Sequence, residues 1–294
     1  MIDQRADRLS ELARTDPAVA PLALLQIEAL RTADSSWERG VPVFSSRPLT
    51  EGLPALEGMT LSVDSGSLSK LWRRLWDVAA QGNVDDVARQ RSAGLSPSFD
   101  LLSLVEASIT ADSRRLEEIC IEAGLDVGLL ATMAHFASLP ILLACGRKAA
   151  AVVSAVEWQA GYCPVCTAWP VLSEIRGLER ERWLRCGRCA TAWPFRQLVC
   201  VFCGNPHHRT QGYLAGEKER EARRVETCDR CRGYLKAMTT LGPLSPADVL
   251  AHDLSTVELD LAAIDQGYAR AEACGSPLHV SVERRTNGWM PWKA

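Results

Sequence analysis

The chain has 294 residues, 47% hydrophobic and 23% charged, with a formal net charge of -3. Such a composition excludes a disordered or fibrous chain, and the length suffices for two domains with a sizeable core. The small total hides an asymmetry: residues 1–160 carry 15 Lys/Arg against 21 Asp/Glu, residues 161–240 carry 14 against 8, and residues 241–294 carry 4 against 7. A basic middle of this kind either attracts nucleic acid or an acidic protein, or offsets the charge of anionic metal-thiolate groups within the same segment.

The opening MIDQRADRLSELARTDP is charged and amphipathic, unlike an export signal, so the expected address is the cytoplasm. Residues 3 to 15 place Ala6, Leu9, Leu12 and Ala13 at helical spacing, and residues 21 to 31 start a second helix on a proline suited to a first turn. Residues 34 to 64, rich in Gly, Pro and Ser, read as an ordered loop around the helical body. In LSKLWRRLWDVAA, residues 68 to 80, the positions Leu68, Leu71, Trp72, Leu75, Val78 and Ala79 make one broad apolar face. Helices follow at 98 to 109 and at 113 to 123, the latter capped by Asp112.

VGLLATMAHFASLPILLAC, residues 127 to 145, carries no charged side chain and is just long enough to cross a bilayer. Thr132, His135, Ser138 and Pro140 interrupt it, so it reads as buried core, an interior helix followed by a short second one, with no stable membrane insertion. His135 is then an interior histidine, and the unpaired Cys120, Cys145 and Cys274 are small buried hydrophobes.

From residue 161 the pattern changes to cysteine pairs separated by short strands, expected at 182–186, 191–199 and 208–215. Residues 217 to 228 are compatible with helix or strand. One long helix is expected from about 252 to 271, with Leu254, Val257, Leu261 and Ile264 in phase, and the tail bearing Trp289 and Trp292 shows no clear secondary structure. The expected fold is α+β: an N-terminal helical domain (1–160), tandem rubredoxin-like or zinc-ribbon modules (161–196 and 197–240), then a C-terminal helix and tail (241–294).

Eight of the eleven cysteines form four C-x2-C pairs between 163 and 231. In a reducing compartment such pairs favour metal ligation over disulfides, because a tetrahedral site needs four soft donors supplied from two ends of a loop. Sequential pairing puts Cys163, Cys166, Cys186 and Cys189 on one ion and Cys200, Cys203, Cys228 and Cys231 on another; interleaved pairing stays open, since only ten residues separate Cys189 from Cys200. The doubled Thr-Ala-Trp-Pro places Trp169 and Trp193 to shield the knuckles while Pro170 and Pro194 fix the exit of the chain. Gly204 and Gly233 permit close backbone approach, and Arg185, Arg188, Arg196, Arg209, Arg230 and Arg232 offset the thiolate charge. His207 and His208 read as an exposed ribbon tip. The spacing does not separate zinc, which would only hold a ribbon together, from iron, which would add one-electron chemistry.

The order CPVC at 163, WLRC at 183, CGRC-x3-W at 186 to 193, R-x3-C-x2-C at 196 to 203 and C-x2-C-x2-YLK at 228 to 236 closely resembles the formate dehydrogenase accessory protein FdhE family. LAHDLSTVELDLAAIDQGYAR, residues 250 to 270, is similar to that family's helical continuation, and the N-terminal region resembles it more weakly from RADRLSELA onward. The tail GSPLHVSVERRTNGWMPWKA shares no motif with the family. The resemblance implies a non-enzymatic cytoplasmic maturation factor that binds the catalytic subunit of formate dehydrogenase. It also implies that the eight paired cysteines are metal ligands, with rubredoxin-type iron favoured over zinc. The alternative class, suggested by the ribbons and the local basic charge, is a zinc-ribbon nucleic-acid-binding protein.

Overall fold

The computed structural model describes residues 7–81, 84–216, 222–271 and 274–285. The N-terminal part is built from α1 (Asp7–Thr15), α2 (Ala20–Thr32), the short α3 (Arg47–Thr50), α4 (Ser65–Ala79), α5 (Val84–Gly94), α6 (Leu101–Thr110), α7 (Ser113–Ala123) and α8 (Val127–Ser154). Four of these helices begin in the same way. Asp64, Asp100, Asp112 and Asp126 each stand at the N-cap and accept a backbone N–H two or three residues into the first turn. Hydrogen bonding to Ser67 and Ser103 is the main reason the Asp64 and Asp100 carboxyls titrate below the usual range.

Helix α8 is one continuous element of 28 residues with Pro140 inside it, rather than a helix followed by a shorter one. It is long and apolar enough to cross a membrane, yet 67% of its most apolar stretch is buried among neighbouring helices. It packs against α2, α4, α6 and α7, and burial of this many apolar side chains outweighs the roughly 3 kcal/mol that an interior proline costs. His135 lies in this packing, where burial and the nearby Arg188 hold its imidazole at a pKa of about 4, and Cys145 is pushed up to about 12 by burial.

The segment 34–64 is ordered but is not merely loop. It holds a 3-10 helix over Ser35–Gly40, α3, and strand β1 (Met59–Val63). β1 pairs in parallel with β8 (Val280–Arg284), placing a strand in the tail where none was expected. Trp289 and Trp292 lie outside the described residues.

The cysteine-rich part is a six-stranded sheet in the order β4-β3-β2-β7-β6-β5. One antiparallel set comprises β2 (Pro170–Arg176), β3 (Glu181–Cys186) and β4 (Ala192–Pro194); the other comprises β5 (Gln211–Leu214), β6 (Arg223–Cys228) and β7 (Tyr234–Thr240). The ambiguous segment is a strand from Arg223 onward, and residues 217–221 lie outside the description. The strand expected over 191–199 stops at Pro194, because the carbonyls of Arg196 and Val199 turn to accept from the Arg182 guanidinium. A parallel pairing of β2 with β7 fuses the two sets into one sheet.

The C-terminal helix is broken into α9 (Pro246–Leu254) and α10 (Val257–Asp265). At the break the Thr256 hydroxyl donates to the carbonyl of His252, the kind of side-chain competition that ends helices. The phase is reset, so Val257, Leu261 and Ile264 are 37%, 61% and 56% exposed and do not continue the buried face of Leu254.

One apolar core joins the helices to the first ribbon: Leu71, Trp76, Leu130 and Leu142 belong to the same cluster as Cys163, Cys166, Leu184 and Trp193. Buried charge holds the sheet seam. Glu174, fully buried, accepts from Arg185 at 2.6 Å and from Arg176, and also from the backbone of Leu244. Replacing Glu174 by Ala would leave these guanidinium groups without their carboxylate, so Glu174→Ala is expected to lower stability by about 3–5 kcal/mol. Denaturant unfolding followed by tryptophan fluorescence measures it; a loss comparable to an ordinary surface substitution would contradict the buried-pair account.

Candidate metal centres

Each of the four cysteine pairs folds into the same knuckle. The backbone N–H of the first cysteine donates to the carbonyl five residues on, Cys163 to Ala168, Cys186 to Thr191, Cys200 to Asn205 and Cys228 to Gly233, at 2.9–3.0 Å. The residue following the second cysteine is left-handed in every case: Thr167, Ala190, Gly204 and Arg232, with φ between 57° and 67°. Only Gly204 announces that geometry in its residue type. Gly233 serves differently, since a Cβ there would lie 2.7 Å from the Phe202 ring.

The knuckles meet in sequential order. The sulfurs of Cys163, Cys166, Cys186 and Cys189 lie within 4.8 Å of one another, as do those of Cys200, Cys203, Cys228 and Cys231. Within the first group Cys163 is 3.4 Å from Cys189 and Cys166 is 3.5 Å from Cys186; within the second, Cys200 is 3.6 Å from Cys231 and Cys203 is 3.8 Å from Cys228. Each group can therefore hold one metal ion, and the donor chemistry fits. Backbone N–H groups of Val165, Arg188 and Cys189 point at sulfur, the Thr191 hydroxyl lies 3.1 Å from Cys189, and the Asn205 amide donates to Cys228. Donors of this kind accept the negative charge of metal thiolates. Burial, reinforced by the neighbouring thiols of Cys166, Cys186 and Cys189, pushes the Cys163 thiol far above its ordinary range; a divalent cation would reverse that preference by supplying the opposing charge.

The repeated Thr-Ala-Trp-Pro is not a repeat in space. Thr167 follows Cys166 directly and is itself left-handed, whereas Ala190 separates Cys189 from Thr191. The one-residue offset sends the tryptophans different ways. Trp193 is fully buried in the main core, while Trp169 stacks edge-on against Tyr162 and against Phe202, which lies between Cys200 and Cys203. Trp169 thus bridges the two centres.

Three of the six arginines expected to offset thiolate charge are committed elsewhere. Arg185 pairs with Glu174, Arg188 donates to the carbonyls of Ser108 and Ile109 at the end of α6, and Arg232 donates to those of Gln266 and Gly267. Arg196, Arg209 and Arg230 are exposed, as are His207 and His208. Cys120 and Cys145 are buried, and Cys274 is partly exposed. A second charge cluster, missed in the sequence, lies beneath α9 and α10. Lys236, 2% exposed, pairs with Asp253 and Asp260 at 2.7 Å each, and both aspartates also pair with Arg270. Burial would raise the Asp253 carboxyl, but Arg270 and Lys236 hold it below the usual range.

Residues 198–275 match the family model described as FdhE, C-terminal domain. That segment is similar to the FdhE C-terminal domain. A protein FdhE homolog of Aquifex aeolicus (strain VF5) is 34% identical over 120 residues, covering 40% of this chain and 41% of the relative. One of Stutzerimonas stutzeri (strain A1501) is 37% identical over 112 residues, covering 37% and 35%. The chain thus spans about two-fifths of the length of the curated relatives it matches. The crystal structure of the FdhE protein from Pseudomonas aeruginosa shares the fold at a TM-score of 0.59, with 23% identity and coverage of 93% of this chain and 94% of that one.

The first knuckle pair is clamped by α8 at Gly146, where a Cβ would come within 2.0 Å of the Cys189 carbonyl oxygen. Gly146→Ala is therefore expected to destabilise the fold by at least about 1–3 kcal/mol and to expose Cys189 to alkylation, read by mass spectrometry. Elemental analysis of the full chain is expected to give two metal ions per chain, falling to one in Cys228→Ser with residues 163–189 still protected from alkylation. Two ions retained in that variant would refute the second ligand set.

Proposed function

We propose that this chain is a non-enzymatic accessory factor for the maturation or activation of respiratory formate dehydrogenase, acting in the cytoplasm by binding the catalytic subunit through a metal-stabilised surface. The observation that carries the reading is the pair of four-cysteine clusters set in a single sheet, in a chain whose residues 198–275 match the FdhE C-terminal domain. Each paired cysteine has three sulfur neighbours within ligand range, which suits it to coordination and not to thiolate attack. We assign Cys163, Cys166, Cys186, Cys189, Cys200, Cys203, Cys228 and Cys231 as the ligands. Residues 161–196 and 197–240 form the two ribbon modules of the proposed organisation, between the helical part (1–160) and the C-terminal part (241–294).

The resident metal in this reading is rubredoxin-type iron, with zinc as the alternative, since four thiolates suit both. Bound iron would supply a one-electron couple; the chain's own contribution is to fix the sulfurs, exclude water from the first set and present the sheet. Inward commitment of Arg182, Arg185 and Arg188 weighs against a phosphate-binding surface, because these guanidinium groups already have partners within the fold.

Co-expression of the tagged full chain with a formate dehydrogenase catalytic subunit is expected to yield a complex on purification, and deletion of its gene to lower formate dehydrogenase activity. Absence of both effects would sink the assignment. Anaerobic purification followed by elemental analysis and visible absorption spectroscopy separates the metals: iron gives thiolate charge-transfer bands that bleach reversibly on reduction, and zinc gives neither.

A further inference from the structure

The two clusters differ in what covers them. In the first, Cys163, Cys166, Cys186 and Cys189 are 0%, 0%, 1% and 1% exposed and belong to the main core. Their knuckles are pinned from the helical side by Arg188 on the carbonyls of Ser108 and Ile109 and by the close seat of the Cys189 carbonyl on Gly146. A competing ligand reaches these sulfurs only when the core opens. In the second cluster Cys200 and Cys228 are buried, but Cys203 and Cys231 stand exposed at the surface. Of the two clusters, this is the one that water or a chelator can approach in the folded state.

The exposed side of the second cluster is also the side tied to α10. Arg232, left-handed and directly after Cys231, lays its guanidinium 4.0 Å from the Tyr268 ring and donates to the carbonyls of Gln266 and Gly267. Tyr268 in turn donates its hydroxyl to Asp229, inside the knuckle, at 2.6 Å. The backbone completes the clasp: Ala269 donates to the Arg232 carbonyl and Tyr234 donates to that of Ala269. Knuckle and post-helix segment therefore hold each other, and the geometry of the knuckle is set by where Cys228 and Cys231 must stand to share an ion with Cys200 and Cys203.

We propose that the second cluster is an exchangeable metal centre whose occupancy fixes α10 against the ribbon, while the first is locked into the core and does not exchange in the folded chain. Loss of the ion frees Asp229 and Arg232 from their shared geometry, and with them residues 266–270 that anchor the end of α10. The element so controlled carries the exposed apolar stripe Val257, Leu261 and Ile264 on successive turns of one face. The inference rests on the eight-cysteine ligand assignment, and its test contains no formate dehydrogenase, so its failure is distinct from failure of the accessory role.

The full chain reconstituted with Co2+ reports each centre through cobalt-thiolate absorption. On addition of excess EDTA, release is expected in two phases of equal amplitude, at least about 100-fold apart in rate, the slow one tracking global unfolding. Cys203→Ser should abolish the fast phase and leave the slow one. Hydrogen exchange after the fast phase should show lost protection across 228–236 and 257–270, with 163–193 unchanged. In Arg232→Ala the fast centre should still load cobalt, yet 257–270 should exchange rapidly even when loaded. Release of both ions in one phase, or a fast phase that leaves 257–270 protected, would overturn the proposal; fewer than two bound cobalt ions would overturn the ligand assignment beneath it.

Discussion

The parallel seam between β2 and β7 is the joint on which the cysteine-rich half depends. Each ribbon alone is a three-stranded antiparallel set with little apolar surface, too small to stand as an independent core. Setting Leu172 to Arg176 beside Lys236 to Thr240 buries the middle of the sheet, and that middle is charged. Glu174 takes two arginines from one side, Lys236 takes two aspartates from the other, and Arg182 reaches across to Glu226 on the second ribbon. Buried ion pairs seldom raise stability over an apolar equivalent, but a broken one is costly. Their effect here is to penalise any register except the one that places Arg182 opposite Glu226 and Lys236 opposite α9 and α10. The two clusters are consequently held in one fixed relation, with Trp169 of one knuckle against Phe202 of the other.

Local periodic features were legible in the sequence. The broad face of Leu68, Leu71, Trp72 and Leu75 is buried in α4, Asp112 caps α7 as read, and the cysteine spacing located both clusters. Features set by distant partners were not legible. β8 is five residues of unremarkable composition, and only the presence of β1, more than two hundred positions earlier, makes it a strand. The single helix expected over 252–271 failed because periodicity carries no penalty for a Ser-Thr pair whose hydroxyls prefer the carbonyl of His252. Identical Thr-Ala-Trp-Pro words misled in a similar way: the offset of one residue relative to the cysteines is visible in the sequence, but its consequence appears only once the left-handed position after each pair is known.

That left-handed position sets a magnitude against which the metal can be weighed. Thr167, Ala190 and Arg232 pay the steric penalty of their Cβ, about 1–3 kcal/mol each, and one hydrogen bond per knuckle returns only about 0.5–1.5 kcal/mol net. Local bonding therefore does not hold the knuckles in shape unaided. For the first cluster the surrounding core supplies the difference, since its cysteines pack with Trp193, Leu184 and the α8 face. The second has less cover: Val201 and Phe202 tie its first knuckle to the same core, but Cys203 and Cys231 are exposed residues and the second knuckle leans on the Arg232 clasp. Four-thiolate ligation is worth on the order of 10–16 kcal/mol for a structural zinc, far more than the strain of either knuckle. An ion bound at each cluster would thus play unequal parts, reinforcing a geometry the core already imposes in the first ribbon and supplying more of that geometry in the second.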